Sequence, residues 1–280
     1  MRSPAEIKAP QRWQASRMQR TAAAKQTPHR EPEVGKQPQA ERKRVACIGD
    51  SITRGDVGFN WVRDLSTRLE DCDFTAYATN GNCAFNALQR VPEVVASKPT
   101  HVFVLIGTND VNSQLSELSA LFYTTVFRLP CRPTARVYRS QLREIIRKLK
   151  TETDADVTVL TLPPFGEDFK STAAAKIRES NQIIAEVAEE EGVKVLPLFD
   201  EIIAACKVDM EKAGLPFYTG AKLLFMGIIS GCLYYVWGWD WDRIAQYNGF
   251  TCTVDSCHLS STSGKAVASL VERHLRGGED

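Results

Sequence analysis

The sequence predicts an α/β fold, a five-stranded parallel sheet with helices on both faces. Three observations predict it. Short apolar runs alternate with helix-patterned stretches from Val45 onward. One run, "HVFVLIG" at 101–107, is apolar almost throughout, as expected of a strand covered on both faces. Short loops containing Gly, Asn, Asp and Ser follow the strands, where open parallel sheets bind ligands.

The elements follow in order. "VACI" (45–48) reads as the first strand and hands over at once to "GDS" (49–51). "NWVRDLSTRLE" (60–70) has helical spacing at Trp61, Val62, Leu65 and Leu69, and "FTAYA" (74–78) is the second strand. "AFNALQRVPEVVA" (84–96) reads as a helix that Pro92 bends or interrupts. After the third strand, "TARVYRSQLREIIRKLKTE" (134–152) places Val137, Leu142, Ile145, Ile146 and Leu149 on one helical face. "DVTVLTL" (156–162) is the fourth strand, closed by Pro163 and Pro164. "AAAKIRESNQIIAEVAEEEG" (173–192) is a helix stopped by Gly192, "VKVLPLF" (193–199) the fifth strand, and "GKAVASLVERHL" (264–275) a closing helix.

Two segments stand outside this alternation. Residues 1–43 contain almost no aliphatic side chains and cannot bury enough surface to offset chain entropy, so a disordered extension is expected. The first 44 residues hold eleven Lys and Arg against four Glu. This basic stretch is offset by an acidic remainder, for a formal net charge of +1 overall. That balance argues against nucleic acid as a partner of the whole molecule. The folded part, 44–280, is read as one domain. Eight cysteines without a C-x-x-C pair suggest neither a disulfide scaffold nor a metal site. Cys47, Cys83 and Cys206 read as reduced core residues. No apolar leader follows Met1, so an intracellular, cytoplasmic protein is expected, with import into an organelle as the alternative reading of the basic, Arg-rich start.

The second is an apolar insertion at 215–248. Its "LLFMGIISGCLYYVWGW" (223–239) has no charge and contains a small-xxx-small pattern. A single membrane crossing here would put Ser51 and His258 on opposite sides of a bilayer. Two readings remain: a helix packed over the site, or an apolar surface making peripheral contact with lipid. "WDWDRIAQYNG" (239–249) follows as a short helix started by Asp240 or Asp242 and ended by Asn248 and Gly249.

Four loops carry chemistry. Ser51 follows the first strand, "NGN" (80–82) the second and "GTND" (107–110) the third, while "VDSCH" (254–258) precedes the last helix. The topology gathers them at one rim. A serine hydroxyl needs a base to become a nucleophile, and His258 is a candidate. Asp255, three residues earlier, could orient and charge-balance the imidazole. The amides of Ser51 and Gly81 and the side chain of Asn109 could await an oxyanion. Asp50 reads as a turn-builder, Asp110 and Asn181 as structural, and Thr53 and Arg54 as loop-packing residues.

"GDS", a glycine after strand two, "GTND" and D-x-x-H in this order resemble the GDSL or SGNH hydrolase family. The resemblance spans about Arg44 to Leu275. It implies a three-layer α/β/α, flavodoxin-like fold and hydrolysis of esters or thioesters through a serine-bound acyl intermediate, with no cofactor and no metal. It assigns Ser51 as nucleophile, Gly81 and Asn109 as oxyanion donors, and Asp255 with His258 as the rest of a triad. The second block reads "AYATNG", retaining only the last glycine of the family's pattern. The substrate class that follows is a small-molecule or lipid carboxylic ester. Removal of acetyl groups from a polar or sugar ester is one alternative. A membrane-associated interaction protein on an esterase scaffold is the other.

Overall fold

A computed structural model describes residues 42–212 and 214–278. The extension expected over 1–43 lies outside the described residues except for Arg42 and Lys43. Five strands form one sheet: β1 (Lys43–Gly49), β2 (Cys72–Ala78), β3 (His101–Leu105), β4 (Asp156–Leu160) and β5 (Lys194–Leu196). Their order is β2-β1-β3-β4-β5 and every pairing is parallel, so each connection is a crossover. In the central strands the runs Val45–Gly49 and Val102–Leu105 are buried without alternation, because helices cover both faces.

The helices are α1 (Ser51–Arg54), α2 (Trp61–Arg68), α3 (Ala84–Ala96), α4 (Thr108–Gln114), α5 (Glu117–Val126), α6 (Ala135–Glu152), α7 (Thr172–Glu191), α8 (Leu198–Cys206), α9 (Gly220–Tyr235), α10 (Trp241–Tyr247) and α11 (Ser261–Leu275). One layer packs α11 against α2 and α8; the other packs α6 between α3 and α7. The predicted apolar faces are buried at Trp61, Val62 and Leu65 in α2 and at Leu142, Ile145, Ile146 and Leu149 in α6; in the first turn of α6 Tyr138 is buried, while Val137, expected on that face, is only half-buried. Side-chain caps mark most of the starts, among them Asn60 before α2, Thr134 before α6 and Asp240 before α10. Gly192 ends α7 in a left-handed conformation.

Three differences from the sequence reading have local causes. α3 runs through Pro92 without interruption, although Pro92 has no N–H to donate to the preceding turn. The fifth strand stops at Leu196: Pro197 cannot continue the ladder, and Leu198 and Phe199 open α8, where the strand was expected to continue. The short helices α4 and α5 carry no long apolar period and were not expected. α4 is buried mostly through polar residues, Thr108, Asn109, Asp110, Asn112 and Ser113, beside the apolar Val111, and α5 is capped by Ser116. Among the described residues no helix is long and apolar enough to cross a membrane. The insertion forms α9 and α10, and α9 leaves Leu224 and Phe225 about two-thirds exposed (66% and 63%).

Candidate active site

The turn after β1 sets the first side chain. Asp50 is buried and accepts the Ile52 amide at 3.0 Å, capping α1 and leaving Ser51 as its first residue. Burial pushes the Asp50 carboxyl up to about 6, against the opposing pull of that amide and of nearby His258 and Arg90. Arg90 of α3 donates to the Gly49 carbonyl at 2.9 Å and also to the Asn82 side chain. One guanidinium thereby ties the end of β1 to the loop after β2.

The loop 251–258 brings the other end of the chain to Ser51. An antiparallel bridge pairs Thr253 with Leu259, and the Val254 amide donates to the His258 carbonyl at 2.8 Å. Ser256 adopts a left-handed backbone (φ 79°), unfavourable for a residue with a Cβ. Its carbonyl accepts the Gly166 amide at 2.8 Å and its hydroxyl accepts the Tyr218 amide at 3.1 Å. Asp255 Oδ1 accepts the amides of Cys257 (3.1 Å) and His258 (2.8 Å). These bonds fix the carboxylate before it meets the imidazole.

A continuous hydrogen-bonded chain results. His258 Nδ1 lies 2.7 Å from Asp255 Oδ2, and His258 Nε2 lies 2.9 Å from Ser51 Oγ. In the neutral imidazole, an Nδ1–H that donates to Asp255 leaves Nε2 as the acceptor facing the serine hydroxyl. Burial pulls the imidazole pKa down, but the charge and hydrogen bond of Asp255, together with the charge of Asp50, outweigh it and hold the imidazole above its ordinary value.

Around Ser51 lies a cleft of about 730 Å³ bordered by Ser51, Gly81, Asn109, Asp255 and His258 together. All five residues singled out in the sequence therefore meet at one place. Gly81 has φ 76°, and a Cβ there would fall 2.1 Å from the Phe127 ring, so only glycine fits. Among the described residues neither the Ser51 nor the Gly81 amide has a hydrogen-bond acceptor. Asn109 Nδ2 donates to the Asn82 carbonyl at 2.9 Å and approaches Asp50 Oδ2 at 3.4 Å. Asn80 and Asn82 are occupied elsewhere: Asn80 donates to Asp56 at 3.0 Å and Asn82 holds Arg90 and Asn109.

The structure adds residues the sequence did not single out. The buried Tyr123 hydroxyl donates to Asn109 Oδ1 at 2.7 Å and accepts from Asn112 Nδ2 at 3.0 Å. With the Asn82 carbonyl holding Nδ2, this fixes the orientation of the Asn109 carboxamide. Glu167 accepts the amides of Thr251 (2.8 Å), Cys252 (2.7 Å) and Thr253 (3.3 Å), clamping the approach to Asp255. A lone glutamate after Pro164 carries no sequence signal for that contact. The remaining readings hold locally. Asp110 accepts the Ala84 amide at 2.9 Å, and burial pushes its carboxyl up to about 7. Asn181 both accepts from the Leu162 amide and donates to the Leu162 carbonyl. Thr53 is buried, and Arg54 pairs with Asp56 at 2.6 Å.

Residues 47–212 match the family model described as GDSL-like lipase/acylhydrolase. The chain belongs to this family. Ester hydrolysis is the chemistry its description names, and the five-stranded α/β architecture accords with it. The family match stops before Asp255 and His258, which the fold returns to Ser51. No curated protein matches the chain. Solved structures with the same fold include the lipase/acylhydrolase from Enterococcus faecalis, at 18% identity over 84% of this chain and 96% of that one, TM-score 0.54. The acetylxylan esterase from Geobacillus stearothermophilus aligns at 17% identity over 83% and 94%, TM-score 0.56. A GDSL-like lipase from Bacteroides thetaiotaomicron aligns at 17% identity over 86% and 91%, TM-score 0.55. At these identities the likeness is one of fold.

Proposed function

We propose that this GDSL-like hydrolase cleaves carboxylic esters through a covalent acyl intermediate on Ser51. The observation that carries the reading is the Asp255–His258–Ser51 chain, with contacts of 2.7 and 2.9 Å. Ser51 Oγ attacks the ester carbonyl carbon while its proton passes to His258 Nε2. Asp255 remains ionised and stabilises the imidazolium. The carbonyl oxygen becomes an oxyanion facing the Ser51 and Gly81 amides and the second Nδ2 hydrogen of Asn109, which Asp50 engages only loosely.

Collapse of this intermediate breaks the bond to the alkoxide, which leaves as an alcohol with the proton from His258. Water then repeats the sequence on the acyl-enzyme: His258 takes its proton, the hydroxide oxygen bonds to the acyl carbon, and the Ser51 Oγ bond breaks. The carboxylic acid departs and the serine is restored.

The test is labelling of the purified protein with a fluorophosphonate, followed by mapping of the modified residue by mass spectrometry. Phosphonylation of Ser51, lost when His258 is replaced by Ala, is expected. Modification at another serine, or none while ester turnover persists, would overturn the assignment.

A further inference from the structure

The cleft above Ser51 is walled by two helices, and one of them is built to leave it open. α5 contributes Leu118, Phe122 and Tyr123. α9 contributes Gly220, Leu223, Leu224, Gly227, Ile228 and Gly231, which recur at three- and four-residue steps on one helical face. Among the described residues, no charged side chain other than Asp255 and His258 borders this cleft. Polar side chains also border it, among them Asn80, Asn112, Ser119 and Thr219, but most of its exposed surface is apolar, so an aliphatic chain would be desolvated by it.

The two interior glycines of α9 differ in what they face. A Cβ at Gly227 would lie 3.3 Å from Asp255 Oδ2, so this turn of the helix packs directly onto the triad. A Cβ at Gly231, one turn later, would meet nothing within 4 Å. Glycine weakens a helix interior, and packing does not require it at 231. What glycine preserves there is free volume along the cleft. The helix keeps its place through other contacts. Ser230 is its buried residue, approaching the Val254 carbonyl at 3.5 Å and accepting from Asn248 at 3.2 Å. The Tyr235 hydroxyl donates to the Asp56 carbonyl at 2.8 Å.

We propose that the α5–α9 cleft binds an unbranched aliphatic chain of the ester substrate, and that Gly231 is a specificity-determining position whose missing side chain sets how much chain the cleft accepts. The inference rests on the ester hydrolase reading and adds the substrate class.

The experiment compares kcat/KM for ethyl acetate, ethyl octanoate and octyl acetate in a pH-stat assay, which covers a chain on either side of the scissile bond. Each buried methylene is worth about fourfold. At least one chain-bearing ester is expected to exceed ethyl acetate by about 10²-fold or more. Gly231→Leu is expected to lower that chain-to-acetate ratio by at least about 30-fold, and Gly231→Ala by less. Both substitutions improve helix propensity, and circular dichroism verifies the fold.

Calorimetric titration of decanoate into the Ser51→Ala protein reads the chain site without catalysis. Binding is expected, and its loss on adding Gly231→Leu. A flat chain profile, a ratio unmoved by Gly231→Leu, or absence of decanoate binding would overturn the proposal. Decanoate binding that depends on Gly231, in a protein that turns over no ester, would keep the chain site and remove the hydrolase reading. Ester turnover without chain preference would do the reverse.

Discussion

The loop that carries Asp255 and His258 and the helix α9 beside it border the same cleft, yet they are held in opposite ways. The loop is fixed by buried polar contacts: three backbone amides on Glu167, two on Asp255, and the carbonyl and hydroxyl of Ser256 each bonded to another segment. α9 has one buried side chain, Ser230, and shows solvent a run of large apolar residues. Reacting atoms must be placed within tenths of an ångström, and directional hydrogen bonds can do that. An aliphatic chain needs only apolar walls and space, because its burial is roughly proportional to area and has no direction. On the proposed reading, chemistry and selectivity thus rest on different physics in adjacent segments.

Breaking the polar side should have the largest consequences. Ser51→Ala is expected to lower kcat on a short p-nitrophenyl ester by about 10⁶-fold, as removal of a nucleophile does in serine hydrolases. Equal turnover by variant and parent would dismantle the catalytic half of the comparison. Asp255→Asn should lower kcat by about 10⁴-fold. The pH profile gives the sign of its effect. His258 must be neutral to act as base, and its raised pKa moves the acid limb of kcat/KM to higher pH than an unperturbed histidine would give. Removing the Asp255 charge leaves burial as the dominant influence, so the limb should move to lower pH in the variant's residual activity. A limb that stays in place would show that Asp255 does not control the imidazole.

Smaller effects test how finely the polar network is set. Tyr123→Phe frees Asn109 Oδ1 and should reduce kcat about tenfold with little change in KM. On an Asn109→Ala background the same substitution should have no further effect. Additive losses would assign Tyr123 a role apart from Asn109. Glu167→Gln weakens the clamp on 251–253 and should cost about 1–3 kcal/mol of stability, read as a lower midpoint in urea unfolding. On the apolar side the smallest change is expected. Phe225→Ser and Trp237→Ser, at outward-facing positions 63% and 65% exposed, should shift stability by no more than about 0.5 kcal/mol. A large destabilisation would mean that α9 is anchored more firmly than its contacts indicate.

Much of this arrangement was legible in the chain. Runs such as "HVFVLIG" identify buried strands because both faces must be apolar. Asp240 and Gly192 mark helix ends because capping uses nearby backbone groups. Ser51, Gly81, Asn109, Asp255 and His258, which the structure gathers around one cleft, could be singled out because each stands near a recognisable strand or helix boundary. α4, α5 and α8 were missed. α4 buries polar side chains, α5 is short, and the apolar start of α8 reads like a strand continuing past Pro197.

What the sequence determined by itself was local: which segments are strands or helices, and which side chains at their ends can do chemistry. The tertiary structure decided how far apart those side chains stand and what orients them. Glu167 meets the 251–253 amides across more than eighty residues, and Tyr123 reaches Asn109 from a helix without a strong pattern. Neither contact leaves a local mark, because each side chain's partner is chosen by packing in three dimensions. The open face of α9 follows the same rule. Its glycines are visible in the chain, but only the fold shows that Gly227 sits against Asp255 and Gly231 against open space.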